Sequence, residues 1–245
     1  MKISHVLVTR PEPQASELAA MLRECGVTPI VAPAFTFEGT GRRFRPDPAW
    51  RAAPERLAVF TSPRAVAFGL AEGVADSLRD ARVAAIGPAT AKALGERGLA
   101  ALEPADGYTS EALLAHPELS RRPGRAIVFA APGGRQALKR GLEALGWAVR
   151  VLEVYRRVPL APGPEVARRV LDAARLASVW TSGNAFDGLL GALGGPARDR
   201  VLGGLVVVVS ERLGAIARDR GAGRVAVAAG PDNASLLACV VEHAE

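Results

Sequence analysis

The chain repeats itself. The segment VLVTRPEPQASELAAMLRECG (6–26) and the segment AIVFAAPGGRQALKRGLEALG (126–146) have equal length and stand 120 positions apart. Each opens with a short apolar run and passes a proline-containing turn. Each then continues with helical periodicity and stops at glycine, a common signal for a helix C-terminus. LAVFTSPRAVAFGL (57–70) matches ASVWTSGNAFDGLL (177–190) at the same offset, which sets Thr61 against Thr181. RVAAIGPATAKALGERG (82–98) matches LVVVVSERLGAIARDRG (205–221) at an offset of 123. TSEALL (109–114) answers NASLL (233–237), with Thr109 or Ser110 and Asn233 as the expected N-caps. The period is too long for stacked solenoid repeats, so the chain is expected to form two similar domains.

Every unit reads strand, polar turn, helix, which predicts parallel sheets flanked by helices with right-handed crossovers. A length of 245 residues suits one large or two small domains. Aromatic residues make up only 5%, so a core drawn from 49% hydrophobic residues must rest on Ala, Val and Leu. That composition suits parallel strands covered on both faces. From the residues alone the domain cut falls at the Pro/Gly-bearing stretch 121–124.

In such sheets ligands bind beyond the carboxyl ends of the strands. Six turns are thereby nominated: Thr9-Arg10-Pro11, Thr61-Ser62-Pro63-Arg64, Gly87-Pro88-Ala89-Thr90, Pro132-Gly133-Gly134-Arg135, Thr181-Ser182-Gly183-Asn184 and Ser210-Glu211-Arg212. Small hydroxyl residues and glycines expose backbone N–H groups at helix starts, a chemistry that holds carboxylates or phosphates. Any one of these Ser or Thr residues is explained by helix capping alone; six together point to an anion.

The formal charge is +6 and is carried by Arg, since Lys occurs only at Lys2, Lys92 and Lys139. Two readings compete: solvated helix faces rich in Arg, and an anionic ligand drawn by a positive surface. No recognition motif or basic stripe with aromatics supports nucleic acid. Cys25 and Cys239 form no CxxC pair, and His5, His116 and His243 are isolated, so no metal or other cofactor is expected. Each cysteine is read as a small buried hydrophobe. The apolar start is too short for a secretion signal and no run reaches the ~18 residues of a spanning helix, so the expectation is a cytoplasmic protein with no membrane partner. Walker, GxGxxG and GxSxG patterns are missing, which removes support for nucleotide, dehydrogenase and serine-hydrolase readings.

The ordered set VLVTRPEPQASELAAMLRECG, PIVAPAF, VFTSPRAVAFGL, VAAIGPATAKALGERGL, GYTSEALL, GGRQALKRGLEALGWAVRVLEVYRRVP and WTSGNAFDGLL resembles the uroporphyrinogen-III synthase family over nearly the whole chain. The resemblance implies an α/β fold of two similar parallel-sheet domains, flavodoxin-like and three-layered, joined by a two-stranded β linker. It moves the domain cut: residues 1–34 with 159–245 would form one domain and 39–153 the other, with linker strands near 35–38 and 154–158. It implies a hinge at that linker and a substrate held between domains. The implied activity is a lyase reaction converting hydroxymethylbilane to uroporphyrinogen III with inversion of ring D through a spiro intermediate. The implied partners are that small polycarboxylate and a transient contact with hydroxymethylbilane synthase, the chain itself being a monomer.

Carried over residue by residue, Tyr155 in VYRRVP becomes the general acid, the competing reading being a tyrosine that packs the linker. Substrate binding falls to Arg10, Ser62, Arg64, Gly87, Thr90, Gly133, Gly134, Arg135, Ser182 and Ser210, with Arg64 and Arg135 pairing carboxylates directly. Two positions depart from the family pattern: Gly183 stands where Pro commonly follows the serine, and Pro132 precedes Gly133. A rival from another class is a non-catalytic two-lobed binding protein for an anionic metabolite, since fold alone does not fix function.

Overall fold

The computed structural model describes residues 2–70, 73–133 and 136–243. Along the chain the strands are β1 (His5–Val8), β2 (Thr28–Val31), β3 (Phe35–Gly39), β4 (Arg56–Phe60), β5 (Arg82–Ala85), β6 (Arg125–Ala130), β7 (Ala148–Glu153), β8 (Tyr155–Pro159), β9 (Leu176–Trp180), β10 (Leu205–Val208) and β11 (Arg224–Val227). The chain divides into two compact units, Met1–Thr36 with Val158–Glu245, and Phe37–Arg157. Residues 121–124 lie within the second unit, so the cut suggested by their composition does not fall there. The pairing that binds β4 to β6 runs straight across that stretch.

The first unit holds a parallel sheet in the order β11-β10-β9-β1-β2. The second holds a parallel sheet in the order β5-β4-β6-β7. The 120-residue offset maps β1 onto β6, β2 onto β7 and β4 onto β9, while the offset of 123 maps β5 onto β10. The two sheets therefore share one spatial order built from differently ordered chain segments. At the place of β11, the described residues of the second unit show a single parallel bridge, Ala84 to Leu102. A two-stranded sheet, β3-β8, carries both chain crossings. It is flanked by hydrogen bonds from the Thr40 N–H to the Val154 carbonyl (3.1 Å) and from the Leu160 N–H to the Ala34 carbonyl (3.0 Å).

Alternation along each strand distributes the core over two faces. In the second unit Ala58, Phe60, Ile127 and Phe129 pack with Val66 and Leu94. Leu57, Val59, Ala126 and Val128 face the other way, onto Leu113, Leu138 and Leu142. Phe60 and Phe129 stack at 4.3 Å. The first unit repeats the plan, with Val6, Val8, Val179 and Val207 packing on Leu18, Leu22 and Leu236. On its opposite face Trp180 meets Phe186 edge-on at 4.7 Å and donates Nε1–H to the buried Ser178 Oγ at 2.8 Å. Strands covered on both sides explain the unbroken apolar runs of the sequence.

Two local expectations change. Thr109 caps its helix as expected, accepting from the Ala112 N–H at 3.1 Å. At the corresponding C-terminal helix the cap is Asp232, whose carboxylate accepts from the Ser235 N–H at 2.8 Å, and Asn233 is the first helical residue. Asn233 spends its amide elsewhere, as shown below. Cys239 is buried, but Cys25 is exposed at the C-terminal end of its helix and is no core residue.

Candidate active-site edge

The strand order reverses at β4 and β6 in the second unit, and in sheets of this kind the turns leaving such strands are the candidate place for a ligand. Thr61, just past β4, ties the two strand ends together: its N–H and its Oγ1 both donate to the Phe129 carbonyl, at 3.2 and 3.0 Å. Ser62 follows in extended conformation as N-cap of the helix Pro63–Gly69, accepting from the Ala65 N–H at 3.1 Å. Proline at the first helical position fits a site with no N–H to satisfy.

Tyr155 opens β8 and is 8% exposed, with its hydroxyl 3.1 Å from Ser62 Oγ. Its ring meets Phe37 edge-on at 5.7 Å and stacks with Phe68 at 5.7 Å. Because Ser62 Oγ already accepts from a backbone N–H, its own proton is available to the phenol oxygen. The phenol proton can then point to a ligand. The reading of Tyr155 as a residue that packs the linker and its reading as a proton donor are thus compatible at one position.

Arg64 stands in the first turn of the same helix with its guanidinium 3.8 Å from the centroid of the Phe37 ring. Burial lowers its pKa below the usual arginine value, Tyr155 opposes that shift, and the charge of Arg157 deepens it. The Arg157 guanidinium lies 6.0 Å from the same ring. Phe37, Ala131, Pro132, Tyr155, Arg156 and Arg157 line a cavity of about 370 Å³. Arg156 is exposed and pairs with Glu38 at 3.1 Å.

Gly87, in extended conformation, precedes the helix Pro88–Gly95. A Cβ there would press on Tyr108 at 3.4 Å, and Tyr108 is itself 67% exposed. Thr90 is buried, with its N–H on the Gly87 carbonyl at 2.9 Å. Gly133 turns the chain after β6 at φ +69°, a conformation that favours glycine. Gly134 and Arg135 lie outside the described residues.

The first unit reverses its strand order at β1 and β9. Thr9 Oγ1 donates to the Val179 carbonyl at 2.6 Å, closing the same gap that Thr61 closes in the second unit. Arg10 donates from Nη1 to Asn233 Oδ1 at 2.6 Å. Asn233 Nδ2 donates in turn to the Gln14 carbonyl (3.2 Å) and to Glu17 Oε2 (3.1 Å). Burial lowers the pKa of Arg10, with Glu17 and Asp232 opposing. Ser182 is the extended N-cap residue of the helix Gly183–Leu193, but its hydroxyl takes no part in the cap. Ser210 caps the helix Glu211–Asp219 by accepting from the Leu213 N–H at 3.3 Å.

Ser62, Arg64 and Tyr155 are brought together in the second unit, and Arg10, Ser182 and Ser210 belong to the first. The arrangement offers N–H donors, guanidinium groups and a phenol, which suits an anionic substrate and proton donation. Phe37 and Arg157 did not emerge from sequence reasoning. Arg157 lay within the quoted VYRRVP stretch, and Phe37 carried only the alternation of a linker strand. Among the described residues no three His, Cys, Asp or Glu side chains converge as a metal site. No helix among them is long and apolar enough to cross a membrane.

A family model described as Uroporphyrinogen-III synthase HemD matches residues 16–238. Uroporphyrinogen-III synthase of Salmonella typhimurium is 36% identical over 242 residues, covering 95% of this chain and 98% of that protein. The Escherichia coli enzyme of the same name is 33% identical over 240 residues, with coverage of 95% and 98%. Among solved structures, uroporphyrinogen-III synthetase from Helicobacter pylori covers 98% of this chain and 99% of its own, with a TM-score of 0.65 at 13% identity. A mutant uroporphyrinogen III synthase from Thermus thermophilus covers 96% of each chain, with a TM-score of 0.54 at 22% identity. Both structures share the fold of this chain.

Proposed function

The chain belongs to the uroporphyrinogen-III synthase family, and on that premise we propose how its strand-end residues carry out the cyclisation of hydroxymethylbilane. The substrate is a linear tetrapyrrole bearing carboxylate side chains. Its terminal hydroxyl departs as water, leaving an electrophilic azafulvene. The substituted carbon of ring D attacks that carbon to give a spiro intermediate, which fragments and recloses with ring D inverted. The unaided substrate closes without inversion, so the protein's task is chiefly to hold the chain in the conformation from which the spiro route wins.

Arg64 and Arg135 bind carboxylates by charge-assisted hydrogen bonds, and Arg10 assists from the first unit. Backbone and hydroxyl donors come from Ser62, Gly87, Thr90, Gly133, Gly134, Ser182 and Ser210. Tyr155 donates to the departing hydroxyl, and Ser62 supports the phenol oxygen as its proton moves away. The observation that carries this reading is the Tyr155–Ser62 contact of 3.1 Å beside Arg64 and an Arg-lined cavity. Residues 1–34 with 159–245 serve as one domain and 39–153 as the other, the strands near 35–38 and 154–158 linking them. The protein works as a cytoplasmic monomer that receives its unstable substrate by transient contact with hydroxymethylbilane synthase.

The test incubates the purified protein with freshly generated hydroxymethylbilane and separates the oxidised products by isomer. The type III isomer is expected to predominate. Predominance of type I, as in a control without protein, would overturn the catalytic reading and return the chain to the class of binding proteins.

A further inference from the structure

Arg10 follows β1 near the start of the chain, and the side chain that holds it comes from the last helix. Arg10 Nη1 donates to Asn233 Oδ1 at 2.6 Å across 223 positions of sequence. Asn233 Nδ2 donates to the Gln14 carbonyl at 3.2 Å and to Glu17 Oε2 at 3.1 Å. A carbonyl and a carboxylate only accept, and a guanidinium only donates, so the amide makes all three bonds in one orientation alone. The same amide stands between opposite charges. Glu17 spends a carboxylate oxygen on the neutral Nδ2, and among the described residues no carboxylate forms an ion pair with Arg10. Glu17 and Asp232 oppose the lowering of the Arg10 pKa by burial, and they do so through space without a bond to it.

We propose that Asn233 is a positioning residue for substrate binding: its neutral amide orients Arg10 and keeps Glu17 off the guanidinium, so that Arg10 meets a substrate carboxylate already aimed. The proposal rests on the reading of Arg10 as a substrate-binding residue. A carboxylate at this position would anchor Arg10 more strongly, since charge-assisted pairs are the stronger ones, but it would also compete with the substrate for the cation. An amide oxygen anchors without cancelling the charge. The anchor is itself well placed. Asn233 is the first residue of the helix Asn233–Glu242, and Asp232 takes over the capping of that helix. An arginine fixed in advance loses less rotamer freedom when the substrate binds. All four side chains belong to the first unit.

The test assays four variants with hydroxymethylbilane: N233A, N233D, R10A and the double variant R10A/N233A. N233A removes the anchor and is expected to raise KM about three- to tenfold with kcat within about twofold. N233D keeps the shape but supplies a charge that occupies Arg10, and its KM is expected to rise at least as far as in N233A. The double variant is expected to match R10A, since the amide acts through that guanidinium. A raised KM in R10A with an unchanged KM in N233A or N233D overturns the proposal alone, as do penalties that multiply in the double variant. An unchanged KM in R10A overturns the reading of Arg10 and the proposal with it. Thermal melts accompany each variant, because a purely structural role of Asn233 would lower Tm without moving KM. N233S, which also lacks the amide, carries the expectation of N233A should that variant not fold.

Discussion

The hydroxyl of Tyr155 lies 3.1 Å from Ser62 Oγ, across 93 positions of sequence, so one contact joins the start of β8 to the N-cap of a strand-end helix. Replacing Tyr155 by Phe removes the phenol and leaves the ring packing on Phe37 and Phe68. We expect kcat to fall by about tenfold to a hundredfold, with the type III product still formed, because positioning survives the loss of one acid. Stopped assays with isomer separation check this; an unchanged kcat would assign Tyr155 to packing alone.

Ser62→Ala removes two contacts at once, the cap of the helix Pro63–Gly69 and the partner of the phenol. The lost cap is expected to cost about 1 kcal/mol. Calorimetry should show a lowered Tm, and kcat should fall less than in Tyr155→Phe.

Arg64→Ala is expected to raise KM about tenfold, the order of one charge-assisted hydrogen bond, while kcat changes little. Steady-state kinetics over a range of hydroxymethylbilane concentrations separate the two constants.

Asp232 accepts from both the N–H and the Oγ of Ser235, each at 2.8 Å, and these bonds hold its pKa below the usual aspartate value. A depressed carboxylate stabilises the fold above its unfolded pKa, and that contribution is lost as pH falls through the native value. Asp232→Ala should therefore lower Tm at neutral pH, with the gap to wild type closing as pH drops below roughly 4. A gap that persists in acid would show that the carboxylate's charge is not its source.

Gly124 sits where a Cβ would come within 2.2 Å of the Glu55 carbonyl oxygen, a backbone atom that also accepts from the Arg125 N–H. Gly124→Ala forces β4 and β6 apart at their first residues. The expected loss is about 1–3 kcal/mol, read as a Tm drop of several degrees for a chain of this size.

Much of this architecture was legible because duplication leaves a double record. The 120-residue offset aligns β4 with β9 and β1 with β6 from the residues alone. The carboxyl-end rule then selected the turns at Ser62, Gly87 and Ser210 as helix starts. Legibility failed where a choice depends on neighbours remote in sequence. Asp232 and Asn233 are both good capping types, and only the proximity of Arg10 and Glu17 explains why Asn233 turns its amide away from the cap. Cys25 follows an amphipathic helix whose apolar face ends at Leu22, so its exposure is set by helix phase and not by residue type. Phe37 shows no pattern that singles it out, since its partner Arg64 is fixed by a turn from another strand.

The interleaving of the two units has a consequence for the newborn chain. Strand β1 lies between β9 and β2, yet its last residue and the first of β9 are 168 positions apart. During synthesis at about 5–20 residues per second, β1 and β2 wait several seconds or more with an unclaimed sheet edge. The stretch Phe37–Arg157 is continuous and can complete its own sheet in that interval. The ribosome thus delivers the molecule from the inside out, finishing the middle before the beginning has found the end.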